Sequence, residues 1–213
     1  MTKRERYEAA IDFFSETMPV AETELHYENA FQLLVAVMLS AQCTDKRVNI
    51  VTPALFEAYP TAEAMAAATD EDVLVFVKSV SYPNSKAKHL VQTARQLCER
   101  FGGEVPQTLD ELTSLPGVGR KTANVVMSVA FGQARMAVDT HVFRVSHRIG
   151  LVPPKATTPL AVELELVKHF PEALIPKAHH WLILHGRYTC TAMRPRCMEC
   201  GLARACAYYN KKS

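Results

Sequence analysis

The sequence has no hydrophobic stretch long enough to cross a bilayer. The longest apolar candidate, residues 31–41, contains Gln32 and Ser40 and is much shorter than the roughly 20 residues that a transmembrane helix needs. Residues 1–6 are charged and lead into an amphipathic segment, whereas a signal peptide would continue into an apolar core. These features predict a soluble, cytoplasmic protein.

Patterns typical of β-strands are also missing, as are low-complexity tracts. Apolar residues recur at helical spacing along nearly the whole chain, and residues 136–138 form one short extended link. The fold class predicted is all-α, with 213 residues sufficing for one large domain or two small ones. Thr69, Thr108 and Thr158 are predicted N-caps. Helices are predicted at residues 5–17, 29–41, 45–59, 70–80, 85–101, 120–131, 140–149, 159–169 and 177–188, with a short one after Thr108.

Net charge is also small. A value of +2 does not by itself indicate a nucleic-acid partner. Basic residues nevertheless concentrate in residues 111–150 and 187–213, where acidic residues are few. A basic face of this kind fits phosphate contact, and solvated helix faces explain it equally well. The basic residues are Arg120, Lys121, Arg135, Arg144 and Arg148 in the first segment, and Arg187, Arg194, Arg196, Arg204, Lys211 and Lys212 in the second.

A glycine-rich turn stands out within residues 115–123, which read LPGVGRKTA. Pro116 cannot continue a helix, and Gly117 and Gly119 permit backbone conformations that other residues resist. Between two helices, such a turn directs backbone N–H groups outward at the start of the second helix. Those donors and the helix dipole suit a nucleic-acid phosphate. Lys121 then lies beside that phosphate on the first turn, where it is a candidate nucleophile.

Four of the six cysteines fall within seventeen residues, with the spacing C-x6-C-x2-C-x5-C. In a chain without a secretion signal, this spacing favours a metal centre over disulfides. Structural zinc and an iron–sulfur cluster both remain open on spacing alone, because only one Cys-x2-Cys pair is present. Cys43 and Cys98 lie on apolar helical stretches and are expected to be small buried thiols. The four candidate ligands are Cys190, Cys197, Cys200 and Cys206.

Taken together, the LPGVGRKTA turn, the segment VDTHVFR at 138–144, the segment HWLILHGR at 180–187 and the cysteine tail carry a family resemblance. Over residues 7–209 the chain resembles the endonuclease III family of helix–hairpin–helix DNA glycosylase/AP lyases. The resemblance implies a six-helix barrel at residues 23–134 and a second domain, from residues 1–22 and 135–213, that holds a [4Fe–4S] cluster. It also implies a bacterial protein that acts as a monomer at the nucleoid, on double-stranded DNA containing damaged bases or abasic sites.

The same resemblance identifies two catalytic residues. Lys121 matches the family's nucleophilic lysine, which attacks the sugar C1′ and expels the base. The ammonium must first lose its proton, and both the helix N-terminus and Arg120 favour the neutral amine. Asp139 matches the catalytic aspartate, which takes a proton or stabilises positive charge on the sugar. Asp139 also precedes a predicted helix, so it is equally expected to be an N-cap.

By the same resemblance, Gln42 and Tyr82 are expected to contact DNA. The backbone of Gly117, Val118 and Gly119 and the side chain of Arg194 are expected to contact phosphate. Gln42 is expected to fill the gap left by an extruded base, and Arg194 to meet phosphate from the loop between the first two cysteines. Ser81-Tyr82-Pro83 departs from the family's glycine–leucine–tyrosine wedge, so an aromatic residue replaces an aliphatic one there.

The function expected is therefore a bifunctional glycosylase and AP lyase that removes oxidised pyrimidines through a lysine Schiff base and nicks the abasic site by β-elimination. Two alternatives stay open. One is a monofunctional glycosylase of the adenine-mismatch type, which typically has a hydroxyl residue in place of Lys121. The other is a non-catalytic DNA-binding module with structural zinc.

Overall fold

The structure is a computed structural model and describes residues 1–211. Two sequence predictions therefore extend beyond it. Lys212, counted in the second basic segment, and Ser213, the last residue of the predicted cluster domain, lie outside the described residues.

The prediction of an all-α fold is confirmed, since residues 1–211 contain helices and no strand. Short 3₁₀ helices occur at Glu172–Leu174, Cys197–Glu199 and Ala203–Ala205. No helix within the described part of the chain is both long and apolar enough to traverse a bilayer. The α-helices are α1 (Lys3–Thr17), α2 (Ala30–Ser40), α3 (Asp45–Ala58), α4 (Ala62–Ala66), α5 (Asp70–Val77), α6 (Pro83–Phe101), α7 (Leu109–Thr113), α8 (Arg120–Phe131), α9 (Thr140–Ile149), α10 (Pro159–His169), α11 (Ile175–Tyr188) and α12 (Ala207–Asn210).

Most predicted helices form close to their predicted bounds. α1 begins at Lys3 rather than at residue 5, α5 ends at Val77 rather than at residue 80, and neither α4 nor α12 was predicted. The five residues of α4 are too few to show periodicity. α6 begins at Pro83 rather than at residue 85, since proline suits the first helical position. α11 begins at Ile175 rather than at residue 177, for the same reason, with Pro176 in its first turn. The caps predicted at Thr69, Thr108 and Thr158 all form.

Residues 24–132 make one compact unit with its own core. α2 runs through this core, and every residue from Phe31 to Leu39 is buried. α6 packs against α4 and α5, while α8 packs against α2 and α7. The C-terminus of α2 and the N-terminus of α6 are thereby fixed by buried apolar surface, which matters for the loops they carry.

Residues 1–23 and 133–211 contribute to the other compact unit, which brings α1 together with α9–α12. Trp181 and Phe14 stack at its centre with ring centroids 5.8 Å apart. The Trp181 indole Nε1 donates to the Met18 carbonyl at 2.8 Å, so its polar edge is satisfied inside the core. This core positions α9 and α11, which present Asp139 and the first cysteine.

Candidate functional site

The predicted hairpin is a tight turn between α7 and α8. The Val118 N–H donates to the Leu115 carbonyl at 3.1 Å, and Gly117 has φ +75°. This is the pattern of a type II turn, with proline second and glycine third. A Cβ on Gly117 would lie 2.9 Å from the His89 ring, so glycine is required by space as well as by conformation. The Thr93 hydroxyl also donates to the Pro116 carbonyl at 2.8 Å, which ties the hairpin to α6.

The N-terminus of α8 is built as an open end. Its N-cap residue, Gly119, has no side chain with which to cap the first turn. Among residues 1–211, and apart from its two chain neighbours, nothing lies within 4 Å of the position that a Cβ on Gly119 would occupy. Lys121 is the second residue of this twelve-residue helix and is exposed. Within residues 24–132, no hydrogen bond or ion pair engages its amine. The geometry therefore leaves both the helix N-terminus and the lysine accessible to an anionic ligand.

Asp139 is half-buried and caps α9. Its Oδ1 accepts a hydrogen bond from the Val142 N–H at 2.8 Å, which confirms the N-cap interpretation. Within its own unit, the other carboxylate oxygen makes no hydrogen bond. One oxygen is thus fixed by the backbone, and the second remains available for chemistry.

Two residues of the first basic segment are engaged inside their unit rather than spread over a solvated face. Arg144 donates to the Gly186 carbonyl at 2.9 Å and to the Cys190 carbonyl at 3.2 Å. Arg148 donates to the carbonyls of Thr191 and Ala192 at 2.7 and 2.9 Å. These guanidinium groups satisfy carbonyls near the end of α11 and at the start of the cysteine loop, a structural role that counting charges does not reveal.

The two predicted wedge residues, Gln42 and Tyr82, share a rare backbone conformation. Gln42 has φ +52° and Tyr82 has φ +55°, and within residues 1–211 no other non-glycine residue has a positive φ. Both side chains are exposed, Tyr82 by 65%. The Ser81 hydroxyl donates to the Gln42 carbonyl at 2.6 Å and so joins the two loops. Left-handed backbone in such residues is strained and clusters at functional sites.

The four tail cysteines line one cavity, and none of them is in a disulfide. The cavity has an empty volume of about 360 Å³, part of it open to solvent. Within the described residues, no three His, Cys, Asp or Glu side chains are grouped so as to hold a metal ion. Arg194 is exposed on the loop between Cys190 and Cys197. Elsewhere, Cys43 and Cys98 are half-buried and pack against the core of residues 24–132.

Protein groups also surround the cysteine sulfurs. Arg148 Nη1 donates to Cys190 Sγ at 3.5 Å, and His185 Nε2 lies 3.7 Å from Cys200 Sγ. Burial raises the pKa of the Cys200 and Cys206 thiols, and it lowers the pKa of His185 to about 4. Neither contact could be identified from the sequence, since no local pattern links residues so far apart in the chain.

An open helix N-terminus with an adjacent lysine, and two exposed loops with left-handed residues, are features expected of a helix–hairpin–helix DNA-repair protein. Comparison with known proteins supports the same class. Residues 35–172 match the HhH-GPD superfamily of base excision DNA repair proteins. Endonuclease III of Rickettsia felis is 48% identical over 199 residues, or 93% of this chain and 92% of that protein. Endonuclease III of Escherichia coli K12 is 44% identical over 211 residues, or 99% of each.

A solved structure is similar over the full length. The trapped covalent intermediate of an endonuclease III with DNA, in an estranged-adenine complex, has a TM-score of 0.93 and 42% sequence identity. The match covers 100% of this chain and 99% of that one. The chain therefore belongs to the endonuclease III family, and its activity is that of a bifunctional DNA glycosylase and AP lyase in base excision repair.

Proposed function

We propose that Lys121 is the nucleophile and that the substrates are oxidised pyrimidines in duplex DNA. The observation that carries this proposal is the placement of Lys121 on the first turn of a helix whose N-terminus is open and has no side-chain cap. A phosphate bound by the backbone of residues 117–119 would hold the damaged strand beside the amine. The covalent DNA complex of a protein 42% identical supports a covalent route.

The chemistry would proceed in two stages. The neutral Lys121 amine attacks the sugar C1′, the C1′–N bond breaks, and the base leaves with the bonding pair. Ring opening gives a Schiff base between Lys121 and C1′, which makes the C2′ proton acidic. Loss of that proton expels the 3′ phosphate by β-elimination, and water then releases the enzyme amine.

Asp139 would act on the same sugar as the positive charge develops. Its Oδ1 is fixed by the Val142 N–H, so the carboxylate is held in place before the substrate arrives. The second oxygen can stabilise positive charge at C1′ or accept a proton from Lys121. Capping and catalysis are compatible because they use different oxygens.

Gln42 and Tyr82 would enter the duplex where the target nucleotide leaves the stack. Extrusion costs unstacking energy, which a residue that fills the gap offsets. The Gln42 amide carries donors and an acceptor for the estranged partner base, and Tyr82 supplies an aromatic face for stacking. Arg194, exposed on the cysteine loop, would contact a phosphate at a distance from the lesion.

The tail cysteines, Cys190, Cys197, Cys200 and Cys206, would hold a [4Fe–4S] cluster. Their placement around a common cavity fits a group that binds each thiolate at a separate corner, and family membership favours the cluster over zinc. When bound, the cluster supplies a rigid cross-link that fixes both ends of the Arg194 loop. Arg148 and His185 lie next to two of the sulfurs and orient those ligands from outside.

Borohydride trapping on duplexes with thymine glycol or an abasic site tests the proposal. The wild-type protein should give a covalent adduct, and Lys121→Ala should give none. Lys46→Ala is the matched control, because Lys46 is also exposed and second in its helix, but that helix is capped by Thr44. Asp139→Asn should keep the N-cap and lose base release, since asparagine caps helices well but carries no charge. An adduct with Lys121→Ala would refute the assignment.

A further inference from the structure

The carbonyl groups at the C-terminus of α2 are satisfied in an unusual way. The last carbonyls of a helix have no partner within the helix and need other donors. Here Ser40 Oγ, the Ala41 N–H and the Cys43 N–H reach the carbonyls of Val37, Met38 and Ser40. The carbonyls of Leu39 and Ala41 depend instead on a side chain from a distant helix. Both accept from the Lys86 ammonium, at 2.8 and 2.7 Å.

Lys86 is buried, with 8% of its surface exposed. It lies on the first turns of α6, four residues after Tyr82. Burial lowers its pKa, and the Cys43 thiol beside it opposes that effect. A buried ammonium is costly unless it is well hydrogen-bonded, and the two carbonyls at a helix C-terminus meet that need. Sequence reasoning did not identify Lys86, because nothing in the local pattern shows that it turns inward.

The two loops therefore have two cross-connections. Lys86 holds the Ala41 carbonyl, and Ser81 holds the next carbonyl, that of Gln42. Between these bonds lies the turn in which Gln42 adopts its left-handed conformation. Ser81 and Lys86, the two donors, stand on either side of the left-handed Tyr82, which is the N-cap residue of α6. A strained conformation persists only where its surroundings hold it.

We propose that Lys86 is a positioning residue for lesion recognition, locking the loops of Gln42 and Tyr82 into one preorganised unit before DNA binds. This inference rests on the proposed insertion of those two residues into the duplex. Without the Lys86 hydrogen bonds, each loop would have to become ordered as DNA binds. The entropic cost of that ordering would weaken binding to a damaged site. Affinity for an undamaged duplex would change much less, because that duplex is bound through phosphate contacts that do not depend on the two loops.

The test compares affinity for a duplex containing a tetrahydrofuran abasic analogue with affinity for the undamaged duplex. Lys86→Met keeps the length of the side chain and removes the donors, and the affinity ratio should fall about tenfold, or about 1.4 kcal/mol. Arg95→Met is the matched control. Arg95 also lies on α6 and donates to two carbonyls at the C-terminal end of a helix, those of Ala66 and Ala68, at 3.0 and 2.9 Å. Its loss should leave the ratio unchanged.

A double-mutant cycle separates positioning from general destabilisation. In a Gln42→Ala, Tyr82→Ala background, Lys86→Met should have no further effect on the ratio, because the side chains it positions are gone. A full tenfold loss in that background would overturn the inference, and so would an unchanged ratio in the single variant. If Lys86→Met does not fold, Lys86→Gln, which keeps a neutral amide NH2 as donor group but removes the charge, replaces it. A borohydride adduct with Lys86→Met at saturating abasic DNA would show that the proposed Lys121 chemistry still operates.

Discussion

The strained turn at Gln42 predicts that stability and lesion recognition can be changed separately. Gln42 occupies the third position of a turn closed by the hydrogen bond from the Cys43 N–H to the Ser40 carbonyl, at 3.0 Å. Ala41 has φ −57° and ψ +114°, and Gln42 has φ +52°, as in a type II turn. Glycine is the usual residue at that position. Glutamine there is therefore strained, and its exposed side chain makes no compensating hydrogen bond within its unit.

The expected change in folding stability for Gln42→Gly is the difference between two opposing effects. Left-handed backbone costs a non-glycine residue about 1–2 kcal/mol, and glycine loses about 0.5–1 kcal/mol more backbone entropy on folding. Gln42→Gly should therefore stabilise the fold by roughly 0.5–1 kcal/mol. Gln42→Ala keeps the strain and should be close to wild type in stability. Both variants lack the amide, so both should lose discrimination between abasic and undamaged duplexes by a similar factor.

Thermal and urea unfolding measure the first effect, and competition binding with the two duplexes measures the second. The Gly variant should melt about 1–4 °C higher than the Ala variant, as expected for a chain of this size. If the Ala variant proved as stable as the Gly variant, the claim of backbone strain would be refuted. If either variant kept full discrimination, the side chain would have no role in recognition.

Two further predictions concern the unit of residues 1–23 and 133–211. Burial, and then the charge of Arg187, lowers the pKa of His180 from 6.5 to about 4. The unfolded state binds this proton first, so stability is full above pH 6.5 and falls by up to about 3 kcal/mol as the pH drops towards 4. Urea unfolding measured across that pH range should show that the free energy of unfolding depends less on pH in His180→Asn than in wild type. In protein loaded with the proposed cluster, Arg148→Met should reduce the iron retained after chelator treatment several-fold relative to wild type, because losing the bonds to the Thr191 and Ala192 carbonyls frees the start of the cysteine loop. Arg204→Met, which removes an exposed arginine near Cys206, should not.

The turns and helix caps of this protein could be predicted from sequence, whereas contacts between residues far apart in the chain could not. Proline and glycine at 116, 117 and 119 specify the turn before α8, because the conformations involved are accessible to few other residues. Asp139 was expected to cap a helix and does. By contrast, the contacts of Lys86 with Leu39 and Ala41 span more than forty residues and depend on how α6 packs against α2. Charge counting alone could not separate structural arginines such as Arg148 from those facing solvent.

The helix N-termini within residues 24–132 show where function departs from the rules of local stability. Five of the helices in this unit, α2, α3, α4, α5 and α7, have an asparagine or threonine side chain that caps the first turn. α6 and α8 have no such cap. Those two helices begin at Tyr82 and Gly119, the positions assigned to duplex insertion and phosphate binding. A capping side chain at Gly119 would occupy the N–H groups that a phosphate needs. Capping and ligand binding compete for the same donors, so the missing side-chain cap on α8 supports the proposed phosphate site at its N-terminus.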